Sequence, residues 1–146
     1  MGVTKRGKGC KIMAVADRAG LPVAIHVGSA APAEVRLVAP LLAARFTAAL
    51  PARLIGDRAY DSDPLDRELA ACGIELIAPH RRNRAKPKTQ DGRPLRRYRR
   101  RWKVERLNAW LQNSRRVLVR QERYLENYTG FVHLACLLIL LRAFMR

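Results

Sequence analysis

Acidic residues are scarce in this chain. Twelve Asp and Glu stand against 29 Lys and Arg in 146 residues, a formal charge of +17. Such an excess repels itself in any compact state without an anionic partner, and nucleic acid is the usual one. Cysteine is scarce too. Cys10, Cys72 and Cys136 are odd in number and far apart, with no Cys-x2-Cys or Cys/His spacing. That excludes a disulfide framework and a zinc site, and fits a reducing cytoplasm. Long apolar runs are missing as well. The most apolar stretch, Leu134–Leu141, is shorter than the ~20 residues a membrane helix needs, so it reads as a core helix. The N-terminus, Met1-Gly2-Val3-Thr4-Lys5-Arg6-Gly7-Lys8, has no hydrophobic region and is no signal peptide.

What is present is enough to build a core. The 49% hydrophobic content is too high for a disordered basic tail, and 146 residues are one domain's worth of chain. Residues 10–18 and 21–28 are β-branched and apolar around Asp17-Arg18-Ala19-Gly20, which predicts a β-hairpin over 10–28 with Gly20 free to take positive φ. Residues 31–46 predict a helix, with Pro32 in a first-turn position and Pro40 kinking or shortening it. Over 52–78 the tempo is strand, helix, strand. Asp57 ends the first strand, Asp61 and Asp63 before Pro64 cap the helix, Gly73 stops it, and Ile74–Ala78 is the second strand: a βαβ unit with parallel pairing. Residues 80–94 are polar and read as a mobile loop, and 95–146 as helices, a long one from about Leu95 to Glu122 and another from about Tyr128 to Met145. No internal repeat is visible.

On a helical wheel, Val104, Leu107, Leu111 and Leu118 make an apolar stripe. Tyr98, Arg101, Glu105, Asn108, Gln112 and Arg116 share a neighbouring polar face. By periodicity alone Glu105 is a solvated side chain pairing with Arg101 at i,i+4, and Asp57 is a strand-end Asp capping the next turn. The segment Arg81–Arg106 holds 13 Lys and Arg against Asp91 and Glu105. If 6–8 of these cations touch phosphates, the logarithmic salt slope of binding would be roughly −5 to −7. Trp102 and Trp110 are in position to stack on a base but read as partial core. His26, His80 and His133 share no spacing and read as core or loop residues.

Two stretches carry a resemblance. Gly56-Asp57-Arg58-Ala59-Tyr60-Asp61, together with Tyr98, Arg101, Glu105 and Gln112, resembles the DDE transposases of bacterial insertion sequences, in the group marked by Tyr-x2-Arg-x3-Glu-x6-Lys. Gln112 stands where the lysine is expected. The resemblance implies an α/β, RNase H-like fold, incomplete at its N-terminus, because the strand bearing the first catalytic Asp belongs upstream of the residue-10 hairpin. Asp17, in the hairpin turn, does not replace it. It implies that Asp57 and Glu105 are catalytic and bind metal, Mg²⁺ or Mn²⁺. Two ions roughly 4 Å apart would activate the attacking oxygen and stabilise the leaving one. Tyr98, Arg101, Lys103, Arg106, Gln112, Arg115 and Arg116 would contact DNA at element ends and target sites. Partners would be DNA and either a second copy or the upstream half of the transposase, with no membrane, in the bacterial cytoplasm. Whether this chain by itself is an enzyme stays open. The competing class is a non-catalytic, truncated DNA-binding product that regulates or inhibits transposition, and a third is a basic RNA-binding protein. Metal dependence separates the first from the others.

Overall fold

The computed structural model describes residues 2–4, 7–85, 87, 89 and 92–145, the first two groups of strand residues (2–4, 7 and 8) and 92–93 by backbone only. In chain order the elements are β1 (Gly2–Thr4), β2 (Gly7–Ala16), β3 (Pro22–Ser29), a 3₁₀ turn (Glu34–Leu37), α1 (Val38–Ala43), β4 (Arg53–Ile55), a 3₁₀ turn (Arg58–Tyr60), α2 (Asp63–Ala71) and β5 (Glu75–Ile77). Then follow α3 (Gly92–Leu95), an arginine-rich 3₁₀ helix (Arg96–Arg101), α4 (Trp102–Gln112), α5 (Arg115–Leu118) and α6 (Leu125–Phe144). The architecture is mixed α/β with two small sheets, β1-β2-β3 and β4-β5. The chain divides into two compact units. One comprises Met1–Pro32, Leu37–Thr47 and Lys103–Arg146; the other comprises Ala33–Arg36 and Ala48–Trp102.

In the first unit, β2 and β3 form the expected antiparallel hairpin, with a register shift at Val15/Ala16. Its turn is built by two residues. Asp17 Oδ1 accepts from the Ala19 and Leu21 N–H groups, both at 2.8 Å, and Gly20 takes φ +84°, which a side chain would resist. The alternation along β3 then sorts its faces: Ile25 and Val27 join Leu107 and Leu111 of α4, Val117 of α5, and Tyr128, Val132, Ala135 and Cys136 of α6 in one buried cluster. Burying each large side chain of this set contributes about 1.5–3 kcal/mol. The Tyr128 hydroxyl donates to the Val117 carbonyl at 2.7 Å, so its polar end is satisfied inside the core. Burial pushes the Cys136 thiol up to about 11, so it stays a neutral, inert side chain.

Four expectations are corrected here. The 31–46 helix begins only at Glu34, and Pro40 falls in the first turn of α1, where its missing N–H removes no helical bond. The long helix from Leu95 to Glu122 is broken twice. Residues 96–101, five of them arginine, wind as a 3₁₀ helix, and Ser114 takes an extended conformation between α4 and α5. The break takes Leu118 out of the apolar stripe. It is 59% exposed, and Val117 takes the buried place. Last, α6 runs for 20 residues, long and apolar enough by length and composition alone to cross a membrane. One stripe packs on β3, while Leu134, Leu137, Leu138 and Leu141 stay about half exposed. β1 was not anticipated.

The second unit is the expected βαβ unit. β4 and β5 pair in parallel, with Leu54 opposite Leu76 and Ile55 opposite Ile77. Leu65 and Leu69 of α2 are buried along with Ile74, Ile77 and Ala78. Gly73 ends α2 as read from sequence. At φ +74° its N–H bonds the Ala70 carbonyl while the Ile74 N–H bonds that of Leu69, the paired closure that satisfies a helix C-terminus. The arginine-rich 3₁₀ helix packs on β4.

Candidate functional site

Asp57 lies two residues beyond the C-terminal end of β4, where open α/β sheets gather their ligands. The turn after it is fixed by its own side chain: the Ala59 N–H donates to Asp57 Oδ1 at 2.8 Å, starting the 3₁₀ turn Arg58–Tyr60. The second carboxylate oxygen has no partner among the described residues. Gly56 leaves room for the Tyr60 ring, which a Cβ there would strike. Burial, with Glu34 and Asp57 adding negative charge, pushes the Tyr60 hydroxyl up to about 12. Tyr60 is therefore neutral at any working pH and adds no charge beside Asp57.

Asp61 and Asp63 do not cap α2, contrary to the sequence reading. The cap position is Ser62, and no side chain bonds the helix N-terminus. Instead both reach across to the basic loop. Asp61 accepts from His80 Nδ1 (2.9 Å), from the Arg81 N–H (2.7 Å) and from Arg84 (2.8 Å), and Asp63 accepts from the other Arg84 nitrogen at 2.7 Å. Arg81 donates its guanidinium to the Arg58 and Ala59 carbonyls, closing on the turn that follows Asp57. Thr89 N–H donates to His80 Nε2, so both ring nitrogens are engaged. Burial raises the Asp61 carboxyl, but the Arg81 N–H, His80 and Arg84 outweigh it and hold the group below the usual carboxylate range. The loop read as mobile is thus tied down over its described part. Lys86, Lys88, Gln90 and Asp91 lie outside the described residues, as do Lys5 and Arg6 of the N-terminal lead and the side chain of Arg93.

Sequence reasoning missed Asp61, His80 and Arg84 as one cluster. The only available signal was the repeated acid of the Asp57-x3-Asp61-x-Asp63 stretch, which local capping also explains.

The other site residues divide between the units. Tyr98 and Arg101 belong with Asp57, and Arg101 donates to the Tyr98 hydroxyl at 3.1 Å. Glu105, Lys103, Arg106, Gln112, Arg115 and Arg116 belong to the hairpin unit. Glu105 is exposed on α4. Beside it, Lys103 Nζ binds the Arg18 carbonyl, and Arg106 donates to the Ala19 carbonyl at 2.5 Å while stacking on Trp110 at 4.7 Å. These two cations dock α4 on the hairpin turn. Arg116 pairs with Glu122 at 2.9 Å, and Gln112 and Arg115 are exposed. Trp102 is half exposed rather than partial core, whereas Trp110 is partly buried under Arg106. His133 meets Phe46 edge-on at 5.9 Å.

Carboxylate oxygens are the donors that Mg²⁺ and Mn²⁺ prefer, and Asp57 and Glu105 both offer them. Among the described residues no group of three His, Cys, Asp or Glu converges as a metal site.

Comparison with known proteins decides the family. The family model described as "Transposase DDE domain" matches residues 2–141. The chain belongs to the DDE transposase family. It is 34% identical over 139 residues to a protein of Burkholderia cepacia assigned as a transposase for insertion sequence element IS402, covering 90% of this chain and 62% of that protein. It is also 34% identical over 139 residues to one of Brucella ovis assigned to insertion sequence element IS6501, of which it covers 98%. This DDE domain thus spans under two thirds of one relative and nearly all of the other. No solved structure matches it.

Proposed function

We propose that this DDE domain serves DNA transposition as part of an RNase H-like catalytic centre, with Asp57 and Glu105 as its acidic residues. The observation that carries the reading is Asp57 at the carboxyl end of a parallel strand, held by the Ala59 N–H with one oxygen unpartnered among the described residues. A bound divalent cation would supply Lewis-acid activation and charge stabilisation for phosphoryl transfer. Asp57 presents its carboxylate in a fixed orientation, and Tyr60 stays protonated beside it. Tyr98 and Arg101, already paired, offer a hydroxyl and a guanidinium to a phosphate. Gln112 and Arg115 extend the DNA contact, while Lys103, Arg106 and Arg116 hold the helices and add to the field. DNA is the partner this charge fits, in the cytoplasm where insertion sequences act, with a second copy or further transposase chain completing the centre.

In this reading the chain alone neither cleaves nor joins DNA, because the resemblance implies three acidic metal ligands and Asp57 and Glu105 supply two. The alternative is a non-catalytic product that occupies element ends and inhibits transposition. Mn²⁺ titration followed by electron paramagnetic resonance separates them. The catalytic reading expects binding that Asp57→Asn and Glu105→Gln each weaken at least several-fold. Binding untouched by both substitutions would refute it and leave the inhibitor.

A further inference from the structure

We propose that Arg96, Arg99 and Arg100 form a phosphate-binding face for the duplex DNA backbone, distinct in role from the other arginines of their segment. This rests on the reading of the domain as DNA-binding.

The partners sort the cations. In the Asp57 unit, Arg84 binds Asp61 and Asp63, and Arg81 binds two carbonyls. Arg97 turns to Glu75, 3.9 Å away, and Arg101 to Tyr98. These guanidiniums already have protein partners, and any phosphate contact of Arg101 is made as a pair with Tyr98. Arg96, Arg99 and Arg100 are exposed, with no partner among the described residues. Three unrelieved like charges on one short helix are a standing repulsion that an anionic ligand removes.

The 3₁₀ geometry aligns two of them. At three residues per turn and about 2.0 Å rise, Arg99 stands over Arg96 at roughly 6 Å, while Arg100 lies a third of a turn round from that row, beside Arg99 in sequence and exposed. Each strand of duplex DNA carries one phosphate per about 3.4 Å of helix axis, so a basic row of this length has phosphates within its reach. Arginine's planar fork suits such a ladder, because it takes phosphate oxygens two at a time. The helix also packs on β4, the strand that leads to Asp57, so the face is built on the element that carries the acid.

Two triple variants of the chain test this on a duplex of element-end sequence, with affinity measured between about 50 and 200 mM salt. Arg96→Gln/Arg99→Gln/Arg100→Gln removes the face. Arg36→Gln/Arg67→Gln/Arg123→Gln removes the same charge from exposed positions elsewhere. Each lost phosphate contact flattens the logarithmic salt slope by about 0.9, so the first variant should be shallower by roughly 2–3 and the second nearly unchanged. Circular dichroism and thermal unfolding should match the unsubstituted chain in both. Equal slopes for the two variants, or an unchanged slope in the first, would overturn the assignment while leaving DNA binding intact. Salt-insensitive binding by the unsubstituted chain would overturn both the assignment and the reading beneath it.

Discussion

Asp61 and Arg84 meet at 2.8 Å with side chains only 3% and 10% exposed, joining the turn after Asp57 to a loop more than twenty residues further along. Arg84 takes Asp63 with its other nitrogen, and Asp61 keeps oxygens for His80 and the Arg81 N–H. This is an ion pair with its remaining valences satisfied, the arrangement in which removing one partner costs most.

Asp61→Ala should therefore destabilise the protein by about 1–3 kcal/mol, read as a lower urea midpoint. The pH dependence has a definite sign. Because the folded-state pKa of Asp61 lies below its ordinary value, its contribution is complete above the unfolded value of about 3.9 and is lost as pH falls through the lower folded value. Asp61→Asn should flatten the fall of stability below about pH 4. An acid-unfolding curve parallel to that of the unsubstituted protein would show that the cluster is not coupled to folding.

Gly20→Ala places a methyl at φ +84° and against the Arg106 guanidinium that docks α4 on the hairpin turn. The backbone alone should cost about 1–2 kcal/mol. In an Arg106→Ala background the steric part disappears, so the same substitution should cost less yet stay unfavourable. A double-mutant cycle by urea unfolding measures the difference, and strict additivity would deny the contact.

Leu107 and Leu137 are the same residue in opposite settings, 0% and 50% exposed. Leu107→Ala should lose about 3 kcal/mol through the cavity left among Ile25, Leu111 and Val132. Leu137→Ala should stay within about 0.5 kcal/mol. Similar losses at both positions would mean that the outer face of α6 is covered in solution.

The β-hairpin, the βαβ unit, the Gly73 stop and the two family stretches are all legible along the chain. Each depends on residues close in sequence: alternation of side chains, a glycine where φ must be positive, a fixed spacing from Tyr98 to Glu105. The Asp57 turn is equally local, since Ala59 closes it two residues on. The segment from Leu95 to Glu122 was legible only in part. Its apolar period continues past Ser114, and periodicity cannot register a break that local backbone bonding imposes.

By itself, then, the sequence determined the strong positive charge, the order of strands and helices and the family to which the chain belongs, because composition, period and short-range turn chemistry specify these. Tertiary structure alone decided what each charge does. Asp61 clamps a loop instead of capping a helix, and Arg81, Arg84, Lys103 and Arg106 are bound to carbonyls and carboxylates that lie 20 to 87 positions away in the chain. An arginine looks the same in sequence whether it faces water or a buried acid. Only the folded chain brings the acid to it.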